Sequence, residues 1–164
     1  MTITEQLEHT RDSLKPWSDE IKGRVEIAAD AFHLLGILAT SPGAPRVAVL
    51  FDGEEKFGDY EELGKVNRKF IIVVSRGRGF RLNPEDSLIK GVAGGRPLYQ
   101  LVEQCREMIR SIVFDRETTN GIPDYLGTQR FNFESSAVDA YQINIQILTQ
   151  LPLRNVDEPA PDEE

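Results

Sequence analysis

The sequence predicts a single α+β domain in which a mixed or mainly antiparallel sheet is packed by a long amphipathic helix near 96–114 and by an N-terminal helix. Three stretches predict it. From Tyr141 to Leu151, Tyr141, Ile143, Ile145, Ile147, Thr149 and Leu151 point one way and Gln142, Asn144, Gln146 and Gln150 the other, with Leu148 the exception. That alternation belongs to a strand with one face on a core. Phe70-Ile71-Ile72-Val73-Val74 is rich in β-branched residues, as in a central strand covered on both faces. Leu98, Leu101, Val102, Cys105, Met108, Ile109, Ile112 and Val113 recur at spacings of three and four, the apolar stripe of a helix lying across a sheet.

The remaining elements follow in order. Thr2 and Glu5 have capping-box spacing, and Ile3, Leu7 and Leu14 continue at near-helical intervals, so a first helix spans about 3–14 and is interrupted by Pro16. Residues 17–40 read two ways: Val25, Ile27 and Ala29 alternate like a strand, while Ala28 to Leu38 suits a buried helix. After the turn cluster from Ser41 to Pro45, Arg46 to Phe51 forms a short strand closed by a turn at Asp52-Gly53. Gly, Pro and Asn break any regular period from Arg76 to Gly95, which predicts a long mobile loop. Pro97 suits the first turn of the amphipathic helix, which keeps Gln100, Glu103, Gln104, Glu107 and Arg110 outward. A second irregular stretch runs from Asp115 to Gln129. Arg130 to Ser135 and Tyr141 to Leu151 then make an antiparallel pair about a turn at Val138-Asp139. From Pro152 the pattern ceases, giving a domain over 1–151 and a disordered acidic tail over 152–164.

A chain of 164 residues suffices for one core without disulfides or metal. Its longest apolar runs are far too short to cross a bilayer, and its first residues are polar and acidic, unlike a signal peptide, so a soluble intracellular product is expected. Cys105 is the single cysteine, which removes intrachain disulfides and cysteine-based zinc sites. A net charge of -8 opposes general affinity for nucleic acid. Residues 65–96, however, carry eight basic side chains against two acidic ones. A basic segment on an acidic body suits head-to-tail contacts between copies.

Few residues point to chemistry. His9 and His33 have no second His, Cys or ligand-spaced carboxylate beside them, and Cys105 lies in the apolar stripe of a helix, where a thiol packs as a small hydrophobe. Gly91 to Arg96 precedes a helix as a phosphate cradle does but lacks the Lys-Ser/Thr pair that reaches phosphate and metal. Ser75 to Phe80 has the look of one short arginine-glycine RNA-binding copy, and on an acidic chain it reads better as a protein-facing basic loop. The acids from Asp52 to Glu62 read as a solvated turn. No catalytic residue, metal or cofactor is therefore expected. The amide face of the Tyr141–Leu151 strand can meet another protein without desolvating a charge, which favours assembly over catalysis.

The order of these landmarks resembles the tail terminator proteins of long-tailed bacteriophages, also called tail completion or minor tail proteins. The resemblance rests on Pro45 to Phe51, Arg68 to Arg76, the helix beginning at Gly95-Arg96-Pro97-Leu98, and Tyr141 to Ile147, and spans most of residues 1–151. It implies a homo-oligomeric ring, usually a hexamer, assembled in the host cytoplasm into the virion. Such a ring sits on the finished end of the tail tube, stops its polymerisation, offers a surface to the head-tail connector, and lets DNA pass only through its lumen. The contact residues chosen on this reading are Arg76, Arg78 and Arg81 for acidic partners and Gln142, Asn144 and Gln146 for the strand surface. The alternatives are a neck or head-completion protein joining connector to tail, a small protein- or RNA-binding module using Arg76, Arg78, Phe80 and Arg81, and a small α/β enzyme.

Overall fold

A computed structural model describes residues 1–39, 44–58, 64–79, 82–92, 95–133, 135 and 137–152. The chain runs α1 (Ile3–Glu20), β1 (Arg24–Ala28), α2 (Ala31–Ala39), β2 (Arg46–Lys56), β3 (Lys65–Gly77), a π-helical turn (Asp86–Lys90), α3 (Leu98–Arg110), β4 (Asp124–Arg130) and β5 (Val138–Gln150). Five strands form one mixed sheet in the order β1-β2-β3-β5-β4. β1 lies parallel to β2, which requires a crossover, and α2 supplies it; every other pairing is antiparallel. The α+β class and the central place of the Phe70–Val74 run agree with the sequence reading.

Each face of the sheet has its own apolar cluster. On one, Val47, Val49, Phe70, Ile72, Val74, Ile143, Ile145 and Ile147 meet Leu14 and Trp17 of α1 and Leu98, Leu101, Val102, Cys105 and Ile109 of α3. On the other, Ala48, Val73 and Ala140 meet Leu34, Ile37 and Leu38 of α2. β3 is therefore covered on both sides, as its unbroken apolar run requires. No helix among the described residues is long and apolar enough to cross a membrane.

Four boundaries differ from expectation. The capping box at Thr2 and Glu5 forms, yet α1 continues through Pro16 to Glu20. Proline forfeits one helical hydrogen bond, and burying Trp17 three residues after Leu14 offsets that loss. Asp52-Gly53 is a β-bulge with Gly53 at φ +131°, so β2 runs on to Lys56. The partner of β5 is Asp124–Arg130, inside the stretch read as irregular, and the turn expected at Val138-Asp139 is the beginning of β5. A bulge between Tyr125 and Gly127 breaks the alternation that would have revealed β4. Phe131 and Phe133, read as part of that strand, pack against the α2-side cluster instead.

Thr149 and Gln6 take part in a buried polar chain. Arg68 donates to Glu54 at 3.2 Å, to the Met1 carbonyl at 2.9 Å and to Gln6 Oε1 at 3.2 Å, and the Gln6 amide donates to Thr149 Oγ1 at 2.9 Å. Every partner is a hydrogen-bonding group, so the buried guanidinium fixes the start of α1 onto β3 and β5.

Candidate interaction surface

α2 covers only part of its face of the sheet. The rest is open and comprises Gln142, Asn144, Gln146 and Leu148 of β5 and Asn67 and Lys69 of β3, all half-buried, with Leu50 and Ile71 packed against the α2-side cluster at its border. The strand pleat sets this composition: positions opposite Ile143, Ile145 and Ile147 are amides. Gln142 donates to Asn144 Oδ1 at 3.0 Å, which holds two neighbouring amides in one arrangement. The single cation in this patch, Lys69, is paired with Glu55.

α2, on the same side of the sheet, leaves its own outer side bare. Helical spacing puts Leu34, Ile37 and Leu38 inward and leaves Phe32, Leu35, Gly36 and Ala39 outward. Phe32 is 86% exposed and Leu35 41%. Asp30 caps the helix by accepting the His33 N–H at 2.7 Å, and His33 Nδ1 accepts the Ala29 N–H at 3.1 Å, which leaves the polar groups of this turn satisfied and its apolar ones bare. At the sheet edge, β4 has an exposed Leu126, while Tyr125 lies on the α3 side beneath Arg106, and the outer backbone of β4 has no partner strand among the described residues.

The basic residues expected to join this surface have a different place. Arg76 is 4% exposed, on the opposite side of β3, where its Nη2 donates to the Val92 carbonyl at 2.7 Å. Arg78 is held by Asp139 through two bonds of 2.8 Å each. Arg81 lies outside the described residues. The structure thus brings Gln142, Asn144 and Gln146 together and separates them from Arg76 and Arg78. The segment after β3, read as a mobile loop, is tied to the sheet at both arginines. The glycines of the apparent phosphate cradle have a steric role: a Cβ at Gly91 would overlap the Gly95 carbonyl, and one at Gly95 would overlap the Arg76 guanidinium. Replacing Gly95 by Ala is expected to displace that guanidinium and destabilise the protein by about 1–3 kcal/mol in urea unfolding. A variant as stable as the parent would show that the segment does not seat on Arg76.

Other polar groups with chemical potential are engaged locally. His9 Nε2 lies 2.9 Å from the Val113 carbonyl, and its ring packs edge-on against Phe114. Burial pushes the Cys105 thiol far above its ordinary pKa, so it stays protonated. Among the described residues no group of three or more His, Cys, Asp or Glu is placed to hold a metal ion. What sequence reasoning missed is Phe32 and Leu35, because a short helix that is apolar nearly all round gives no sign of which side stays bare. Neither a known family model nor a curated protein matches the sequence.

Proposed function

We propose that the chain is a virion assembly protein that caps the tail tube of a long-tailed phage as an oligomeric ring, stops its polymerisation and presents a surface for head joining. The observation that carries this reading is the open amide face of β3 and β5, on the same side of the sheet as α2 with its bare apolar residues. Amides and apolar groups desolvate at lower cost than charges, so a broad patch of this kind suits a protein partner. The two sheet edges, β1 and β4, differ in length, direction and side chains, and such unlike edges favour head-to-tail contacts that close into a ring.

The test is electron microscopy of particles assembled when this reading frame is interrupted in the phage genome. Overlong tubes detached from DNA-filled heads are expected. Tails of normal length left unattached would reassign the protein to the neck, and normal infectious particles would overturn the assembly role altogether.

A further inference from the structure

Among the described residues two arginines are buried, Arg68 and Arg76; Arg68 is paired with Glu54, whereas the carboxylate opposite Arg76 in the sheet, Asp139, is bonded to Arg78, Ser87 and Arg130. Among the described residues the Arg76 guanidinium has one hydrogen bond, to a carbonyl, and its Nε has no partner. Burial lowers its pKa, and among the described residues the cation makes no ion pair of its own, since Asp139 is shared by Arg78 and Arg130. It lines a cleft of about 260 Å³ together with Lys22, Arg96, Glu20, Gly95 and Leu101. α3 begins beside this cleft with Pro97 at its cap position and no side chain bonded to its free N–H groups, so the positive end of the helix dipole adds to the cations. Arg96 is paired with Glu20 and also donates to Gln104 at 2.9 Å. Lys22 is exposed, with no partner among the described residues, and is held at the cleft by a left-handed backbone at φ +55° that ends α1.

We propose that this cleft binds a side-chain carboxylate from an acidic segment of a second copy of the chain, namely the run from Asp157 to Glu164. Arg76 is the deep anchor and Lys22 the rim cation. The inference deepens the ring reading by naming one of its contacts. Three considerations select the occupant. Glu20 and the carbonyl end of α1 also face the cleft, so a single carboxylate suits it better than a dianionic phosphate. Residues 157–164 contain five Asp and Glu, the densest acidic run in the sequence. Position favours a second copy: β5 pairs with β3 from Gly77↔Val138 to Lys65↔Gln150, which puts the end of β5 about 40 Å from the Arg76 end of the sheet. Asp157 and Glu158 of the same chain lie within only about 20 Å of Pro152 even when fully extended. Asp162 to Glu164 would span that distance only with nearly every intervening residue fully extended. A neighbour in a head-to-tail ring meets no such limit.

The experiment is fluorescence anisotropy of a labelled synthetic peptide of residues 153–164 titrated with the full chain at low salt. Saturable binding is expected, weakened at least about tenfold by Arg76→Met and about threefold by Lys22→Met, and lost when the peptide's Asp and Glu are replaced by Asn and Gln. Lys22 is exposed, so its variant folds even if Arg76→Met does not. No binding by the parent chain, equal binding by Lys22→Met and the parent, or competition by inorganic phosphate as strong as by unlabelled peptide would each overturn the proposal. Failure here leaves the tail-capping reading standing, and normal tails in the interrupted phage would remove that reading without touching peptide binding.

Discussion

Replacing Asp139 by Ala should destabilise the protein by about 3–5 kcal/mol, the cost of breaking a buried ion pair from one side. The Asp139 side chain is 1% exposed and every acceptor direction is used. Arg78 Nε donates to Oδ2 and Arg78 Nη2 to Oδ1, both at 2.8 Å; Ser87 Oγ donates to Oδ2 at 2.5 Å, and Arg130 Nη2 reaches Oδ1 at 3.2 Å. One carboxylate therefore ties together the end of β3, the Asp86–Lys90 turn and β4, and its loss removes both Arg78 bonds and the shortest Ser87 bond. Asp139→Asn keeps the shape but supplies a donor where Arg78 needs an acceptor, so it should fall between Ala and the parent. The effect has a defined pH dependence. Burial alone would raise the carboxyl pKa, but Arg78, Ser87 and Arg130 outweigh it and hold the native value below the ordinary range. A group depressed in the folded state contributes its full stabilisation above the unfolded value, about 3.9, and loses it as pH falls through the native value. The gap between parent and Asp139→Ala in urea unfolding should accordingly be full at pH 7 and shrink on acidification below about 4. A gap under about 1 kcal/mol at pH 7 would show that Asp139 does not hold these segments together.

The sequence made the framework legible wherever one physical signal dominated. Ile143, Ile145 and Ile147 alternate against amides, and Leu98 to Ile109 keep helical spacing, so β5 and α3 stand almost where the pattern puts them. It failed where two signals competed. Pro16 argues for a stop in α1, while the core contact of Trp17, invisible to local propensity, argues for continuation. At Asp52-Gly53 and at Leu126 the residues that suggest a turn or an irregular stretch are bulges, which keep a strand going while shifting its faces. The candidate surface was half legible for the same reason. Alternation identified Gln142, Asn144 and Gln146 as one face. The charge of Arg76 and Arg78 suggested exposure, but charge does not reveal whether a carboxylate such as Asp139, sixty-one residues from Arg78 along the chain, is folded against it.

Assembly, in contrast to stability, should depend on the open face. Asn144→Arg introduces a cation where the sheet presents amides, and there is room for it: Asn144 pairs with Gly127 of β4, where even an added Cβ meets nothing within 4 Å. Phe32→Asp replaces the most exposed large apolar side chain among the described residues with a charge on the bare side of α2. Neither residue supplies core packing, so each variant should unfold within about 0.5–1 kcal/mol of the parent. In the proposed ring the same charges would be desolvated without a partner, at a cost of about 2–5 kcal/mol, weakening association by at least about thirtyfold. Sedimentation of the purified variants, and tail length in a phage complemented with them, report this directly. Glu8→Lys is the matching control, because Glu8 is exposed on α1, on the far side of the sheet. If Glu8→Lys disturbs assembly as much as Asn144→Arg and Phe32→Asp do, any surface charge change has the same effect and the amide-apolar face is not the contact. If only the two face variants fail, the contact is local, and the amides opposite Ile143, Ile145 and Ile147 give β5 two roles, one side in the core and the other against a partner.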